Sequence, residues 1–192
     1  MKFSHKNIPN YLTYLRILVI PALIVTFFLS GPWGYYLSTV LFLIAGISDW
    51  LDGYLARIWQ AQSSLGRVLD PIADKLLVST ALMLLVAVGR ADLLPAIAIV
   101  CREILVSGLR EFLAEIRIGM PVSKLAKIKT AAQMLAIGCL LLGAGGPDWL
   151  HSEILGRILL WLSALLTLVT GYAYLRIGLK HMTEENTELP NL

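Results

Sequence analysis

Apolar residues dominate six stretches of the chain, at about 12–30, 34–58, 68–89, 93–116, 127–145 and 154–178. Each is near the ~20 residues that one helix needs to cross a bilayer core. Between them stand Ser30-Gly31-Pro32, Gly89-Arg90-Ala91-Asp92 and Gly145-Gly146-Pro147-Asp148, residues that end helices and favour turns. No stretch alternates apolar and polar positions, and an open strand edge would leave its N–H and C=O groups unsatisfied in lipid. The pattern therefore predicts an all-α integral membrane protein of six transmembrane helices, with residues 1–192 as one domain. The polar, basic opening over residues 1–9 predicts a short N-terminal interfacial segment, with Phe3 and Ile8 toward lipid and Lys2 and Lys6 near anionic headgroups. It lacks the small-residue exit of a cleaved signal peptide, so it is expected to be retained. The polar tail after His181 is expected to be frayed and solvated.

Composition sharpens this picture. Apolar residues make up 57% of the chain and charged residues 15%, against ~45–50% and ~25% in soluble domains. Six spans leave only short connectors, which excludes an appended soluble catalytic domain. The net charge of +3 is small, and no nucleic-acid partner is expected. Position matters more than sum. With the N-terminus inside, the cytoplasmic side collects Lys2, Lys6, Arg16, Arg57, Arg67, Lys75, Arg110, Arg117, Lys124, Lys127, Lys129, Arg176 and Lys180, and the other side holds only Arg90 and Arg157. This bias places both termini in the cytoplasm. Trp33, Trp149 and Trp161 at one boundary, and Tyr172 and Tyr174 at the other, read as interfacial belts, and Trp50 reads as packing. Cys101 and Cys139 lie in apolar stretches without CxxC spacing or a nearby histidine, which fits neither a disulfide framework nor a zinc site. His151 and His181 read as solvated residues.

The chemistry is concentrated in four aspartates. Asp49, Asp52, Asp70 and Asp74 fall in or near the cytoplasmic halves of the second and third helices, where an unpaired carboxylate is costly. At ~100° per residue, Asp49, Asp52, Gly53 and Ala56 share one face of the second helix. Gly66, Asp70 and Asp74 share one face of the third if it starts early enough, and the short connector would bring the two faces together. Counting from Arg57 at ~1.5 Å per residue puts Asp49 roughly 12 Å below the surface, in a shallow pocket. Converging carboxylates repel, and hard divalent cations with oxygen ligands, Mg²⁺ or Mn²⁺, relieve the repulsion. Two such metals ~3.5–4 Å apart make a clamp for phosphoryl chemistry. Gly53 and Ala56 would let a phosphate approach the backbone. The structural alternative is ion pairing of the aspartates with Arg57, Arg67 and Lys75, which would be weakly stabilising.

Residues 49–74 read DWLDGYLARIWQAQSSLGRVLDPIAD, that is D-x2-D-G-x2-A-R-x8-G-x3-D-x3-D. This resembles the signature of the CDP-alcohol phosphatidyltransferases, membrane enzymes of six helices. The resemblance implies displacement of CMP from a CDP-linked lipid by an acceptor hydroxyl, with two divalent cations as cofactors. It implies that Asp49, Asp52, Asp70 and Asp74 hold the metals, that Asp74 is also the general base, and that Gly53, Ala56, Arg57 and Gly66 hold the CDP moiety. It further implies a homodimer in the cytoplasmic membrane of a bacterium, multi-pass, with its active site facing the cytoplasm and CDP-diacylglycerol drawn from the inner leaflet.

Three more stretches bear on the acceptor. NIPNYLTYLR places Asn10, Thr13 and Arg16 on the first turns of the first helix, assigned to CDP-lipid binding. CREILVSGLREFLAE puts Glu103, Ser107, Arg110 and Glu111 on one polar stripe of the fourth, and SKLAKIKTAAQ opens the fifth. Arg102, Arg110, Lys124, Lys127 and Lys129 supply more positive charge than a neutral acceptor needs, and Arg and Lys suit a phosphate. A cytoplasmic loop also collects such cations without binding anything. The stretches resemble a bacterial group within the family, the phosphatidylglycerophosphate synthases, whose acceptor is sn-glycerol 3-phosphate, although Ala126 stands where glycine is expected. The expected acceptor-phosphate ligands are Arg110 and Lys129, with Arg102 and Arg176. Inositol phosphate, serine or phosphatidylglycerol are the alternative acceptors. A divalent-cation transporter would need polar groups across the membrane, whereas these acids gather at one side.

Overall fold

In the computed structural model, residues 8–59, 64–115 and 124–187 of the chain are described. Six helices account for nearly all of them: α1 (Ile8–Phe27), α2 (Pro32–Trp59), α3 (Ser64–Ala87), α4 (Leu93–Glu115), α5 (Lys124–Leu142) and α6 (Ser152–Thr187). Two single 3₁₀ turns, Gly143–Gly145 and Asp148–Leu150, join α5 to α6. The ends of the helices follow local chemistry. Gly31, at φ 78°, turns the chain into Pro32, whose missing N–H costs nothing at a helix start. Gly89, at φ 73°, closes α3: its N–H bonds to the Val86 carbonyl at 3.0 Å and the Arg90 N–H to the Leu85 carbonyl at 2.9 Å.

The sequence boundaries shift in informative ways. Ile8 and Pro9 of the expected interfacial segment already belong to α1, and residues 1–7 lie outside the described residues. The backbone of α6 continues to Thr187, past the His181 limit set by the last apolar residues. Lys, Met and Glu are good helix formers, and no proline intervenes before Pro190.

The helices close into a ring in the order α1, α2, α5, α6, α4, α3, and α3 also touches α5 across the middle. The connector between α2 and α3 does not bring those helices face to face; they touch little, and α1 packs against both. One apolar core runs through the ring, with Leu23, Phe42, Leu77, Leu82, Ile99, Ile137, Leu140 and Leu160 almost fully buried. Small residues set its closest approach. A Cβ on Gly156 would lie 2.7 Å from Leu140 Cγ and 3.1 Å from the Leu140 backbone nitrogen, so α5 and α6 meet backbone to backbone.

Among the described residues, two segments are long and apolar enough to cross a membrane, Leu125–Gly145 and Asp148–Arg176; Tyr11–Phe27 is apolar but shorter. The six-span expectation is broader than this because α2, α3 and α4 each carry several charged residues within their length.

Candidate active site

A cavity of about 860 Å³ opens between α2, α3, α4, α5 and α6. Its acidic wall carries Asp49 from α2 and Asp74 from α3. Its basic wall carries Arg102 and Arg110 from α4 and Lys127 and Lys129 from α5, with Glu103, Glu111 and Tyr174 among them. The two walls belong to one space, so groups held by each can meet.

The acidic wall is braced from behind by α1. Arg16 is fully buried and its Nη1 lies 2.9 Å from Asp49 Oδ1, while the Thr13 hydroxyl donates to Asp70. Asp49 also feels the charge of Asp70, and Asp74 feels those of Asp49, Arg16, Lys129 and Lys75. This explains how α2 and α3 tolerate their carboxylates with little direct contact: α1 inserts a cation and a hydroxyl donor between them. Pro71, inside α3 between Asp70 and Asp74, lines the cavity; its ring breaks one rung of the helix ladder beside the carboxylates. Lys75, next in sequence to Asp74, donates to Ser107 of α4, and Ser107 donates onward to Glu111 at 3.4 Å.

The basic wall is equally ordered. Lys129, buried, pairs with Glu103. Arg102 Nη2 donates to Thr170 Oγ1 of α6 at 2.9 Å, and its Nη1 lies 3.6 Å from Glu103. Tyr174 is buried, with the guanidinium carbons of Arg110 and Arg102 5.4 and 5.7 Å from its ring centroid. The belt reading of Tyr174 is thereby overturned, since its ring faces cations inside the protein; Tyr172, two residues earlier, is exposed as a belt residue should be.

Of the residues singled out from sequence, the structure brings Asp49, Asp74, Arg102, Arg110 and Lys129 to the cavity, with Thr13, Arg16 and Asp70 immediately behind. Arg176 is exposed and does not line it. The side chains of Asn10, Asp52, Gly53, Ala56, Arg57, Gly66, Arg67 and Lys124 lie outside the described residues. Sequence reading missed Thr170 and Tyr174 as cavity partners; the available signal was a Thr-Gly-x-x-Tyr run within an apolar helix, legible only once α4 is known to lie alongside.

The family model for CDP-alcohol phosphatidyltransferases matches residues 6–169, across five of the six helices and into the last. The chain belongs to this family. Among curated CDP-alcohol phosphatidyltransferases, it is 45% identical over 176 residues to the CDP-diacylglycerol–glycerol-3-phosphate 3-phosphatidyltransferase of Rickettsia felis, covering 92% of this chain and 97% of that one. It is 42% identical over 185 residues to the enzyme of that name from Haemophilus influenzae, covering 93% and 95%, and 45% identical over 181 residues to that from Pseudomonas fluorescens, covering 92% of each. Asp49 and Asp74, the first and last positions of the aspartate motif, both line the cavity.

Proposed function

We propose that this protein transfers the phosphatidyl group of CDP-diacylglycerol to sn-glycerol 3-phosphate, giving phosphatidylglycerophosphate and CMP. The observation that carries the reading is the single cavity with carboxylates on one wall and phosphate-binding cations on the other. The relatives at 42–45% identity, whose names state this reaction, support the choice of donor and acceptor.

The donor set fits hard divalent cations. Asp49, Asp70 and Asp74 offer oxygen ligands from two helices, with Asp49 feeling the charge of Asp70 and Asp74 that of Asp49; among the described residues no three such ligands form a cluster, and Asp52, one turn after Asp49 in sequence, would complete the set. When bound there by the four aspartates, two Mg²⁺ or Mn²⁺ ions would neutralise the pyrophosphate and the charge growing on departing CMP. Asp74 acts as general base, taking the proton from the acceptor's hydroxyl as its oxygen bonds to the phosphatidyl phosphorus and the P–O bond to CMP breaks. Arg110 and Lys129 hold the acceptor's phosphate by charge-assisted hydrogen bonds, with Arg102 behind them. Arg16 and Thr13 keep the carboxylates aimed. With both substrates in one space, the transfer proceeds directly, through a ternary complex.

All six helices span the bacterial cytoplasmic membrane in this reading, with both termini and the cavity on the cytoplasmic side and the chain acting as a homodimer. Two features support the spans. Every helix exposes large apolar side chains, among them Leu18, Ile44, Met83, Ile104, Leu135 and Val169. The charges that depress the hydropathy of α2, α3 and α4 include Asp49, Asp74, Arg102 and Arg110, which line the cavity instead of facing lipid.

The test is CMP release by purified protein in detergent with CDP-diacylglycerol and Mg²⁺ or Mn²⁺, comparing glycerol 3-phosphate, inositol phosphate, serine and phosphatidylglycerol. Release that needs glycerol 3-phosphate and stops with chelator is expected. Release with another acceptor overturns the acceptor, and release unaffected by chelator overturns the metal site.

A further inference from the structure

Among the described residues, Tyr174 is the one that α6 supplies to the cavity lining, and it meets two cations of α4 at once. The two arginines are not equivalent. Arg102 is held on several sides: Thr170 accepts from Nη2, Glu103 lies beside Nη1, and its Cγ rests over Gly171, where an added Cβ would lie 2.9 Å away. Arg110 has no carboxylate partner among the described residues, and its guanidinium carbon lies over the Tyr174 ring, 5.4 Å from the centroid. An arginine that rests on an aromatic face keeps its in-plane N–H donors free for an anion, because the ring occupies the face of the guanidinium and not its edge. A second cation nearby would ordinarily drive Arg110 away into water. A shared ring offsets that repulsion by attracting both guanidinium groups.

We propose that Tyr174 is a positioning residue for the acceptor: its ring holds Arg110 beside a fixed Arg102, so that Arg110 presents its donors to the incoming phosphate. Arg102 on this view is a post, held in place by Thr170 and Glu103, and Arg110 is the ligand. The inference rests on the reading of the cavity as an acceptor site. It deepens that reading by assigning selectivity for a phosphorylated acceptor to an aromatic residue of α6.

The test uses full-length protein in detergent with three variants, Tyr174→Phe, Tyr174→Leu and Arg110→Ala, and the double variant Arg110→Ala/Tyr174→Leu. Binding of glycerol 3-phosphate is measured by calorimetry, and steady-state kinetics are measured with CDP-diacylglycerol as donor. Removing a desolvated cation–π contact should weaken acceptor binding about tenfold in Tyr174→Leu and raise the glycerol 3-phosphate KM in proportion, with kcat and the donor KM changed less than about threefold. Tyr174→Phe keeps the ring face and should behave as the parent does. In the Arg110→Ala background, Tyr174→Leu should add no further loss, since the residue it positions is gone.

Equal defects in the Phe and Leu variants would overturn the proposal, because the hydroxyl and not the ring would then matter. So would additive losses in the double variant, or a fall in kcat with KM unchanged. If Tyr174→Leu does not fold, the comparison of Arg110→Ala with Tyr174→Trp, which keeps a cation-binding face, decides: a KM for Tyr174→Trp as high as that of Arg110→Ala refutes positioning by the ring. Absence of turnover with glycerol 3-phosphate in the parent, together with intact calorimetric binding, would count against the proposed reaction and leave the positioning role standing. Absence of binding in the parent removes both.

Discussion

Replacing Arg16 by methionine keeps the length of the side chain and removes its charge from behind the acidic wall. At the 2.9 Å separation from Asp49, the Coulomb attraction is about 6 kcal/mol at an effective dielectric near 20. Desolvation of the guanidinium, whose side chain is 0% exposed, offsets much of that. Deleting one partner of a fully buried pair costs ~3–5 kcal/mol, but the Asp49 side chain is 45% exposed and regains water, so the expected loss is about 2–3 kcal/mol. At roughly 2–4 °C per kcal/mol for a chain of this size, the Tm in detergent with chelator should fall by about 5–10 °C. Thermal unfolding followed by intrinsic tryptophan fluorescence measures it. Millimolar Mg²⁺ should restore more of the Tm in Arg16→Met than it adds to the parent protein, since Asp49 and its neighbours have then lost their competing cation. A fall under about 2 °C would refute the bracing role of α1. Equal Mg²⁺ effects on the two proteins would refute the link between Arg16 and a divalent-cation site.

Three further outcomes are expected. Asp74→Asn should nearly abolish CMP release while CDP-diacylglycerol binding persists; an unchanged rate would remove Asp74 as the base. Gly156→Ala should destabilise the protein by about 1–3 kcal/mol, because its Cβ would meet the Leu140 backbone, which cannot swing aside as a side chain does; an unchanged melting temperature would show that α5 and α6 can part there. In a background with Cys101 and Cys139 replaced by alanine, a membrane-impermeant maleimide added to intact spheroplasts should label Asp148→Cys but reach Lys127→Cys only after permeabilisation. The reverse pattern would invert the topology.

The acidic wall was legible in the sequence because its geometry is local. Asp49 and Asp52, or Asp70 and Asp74, are separated by one helical turn, and once α3 begins at Ser64 the shared face follows from helix pitch alone. What joins the two pairs was not legible. A short connector suggested direct packing of α2 on α3, whereas the intervening helix comes from earlier in the chain, and nothing in its own sequence says that Arg16 meets Asp49 and Thr13 meets Asp70. Tyr174 shows the same limit. An aromatic near the end of an apolar helix ordinarily lies at the bilayer boundary. Its burial follows from the closeness of α4 to α6, set by Gly171 against Arg102 and Gly178 against Leu109, a pairing that only three-dimensional structure supplies. The stripe on α4 was read correctly as polar, but its division of labour was not visible, because Arg102 and Arg110 differ in their partners on other helices and not in their sequence surroundings.

The wedge of α1 between α2 and α3 bears on how the protein is made. Synthesis proceeds from the N-terminus, so the helix bearing Thr13 and Arg16 leaves the ribosome before the two that bear the aspartates. If all six helices span the membrane as proposed, Asp49 would enter lipid with the Arg16 cation already made, and Asp70 with the Thr13 hydroxyl donor. In that same reading, a chain shortened to begin at α2 would carry Asp49 into lipid without the Arg16 cation.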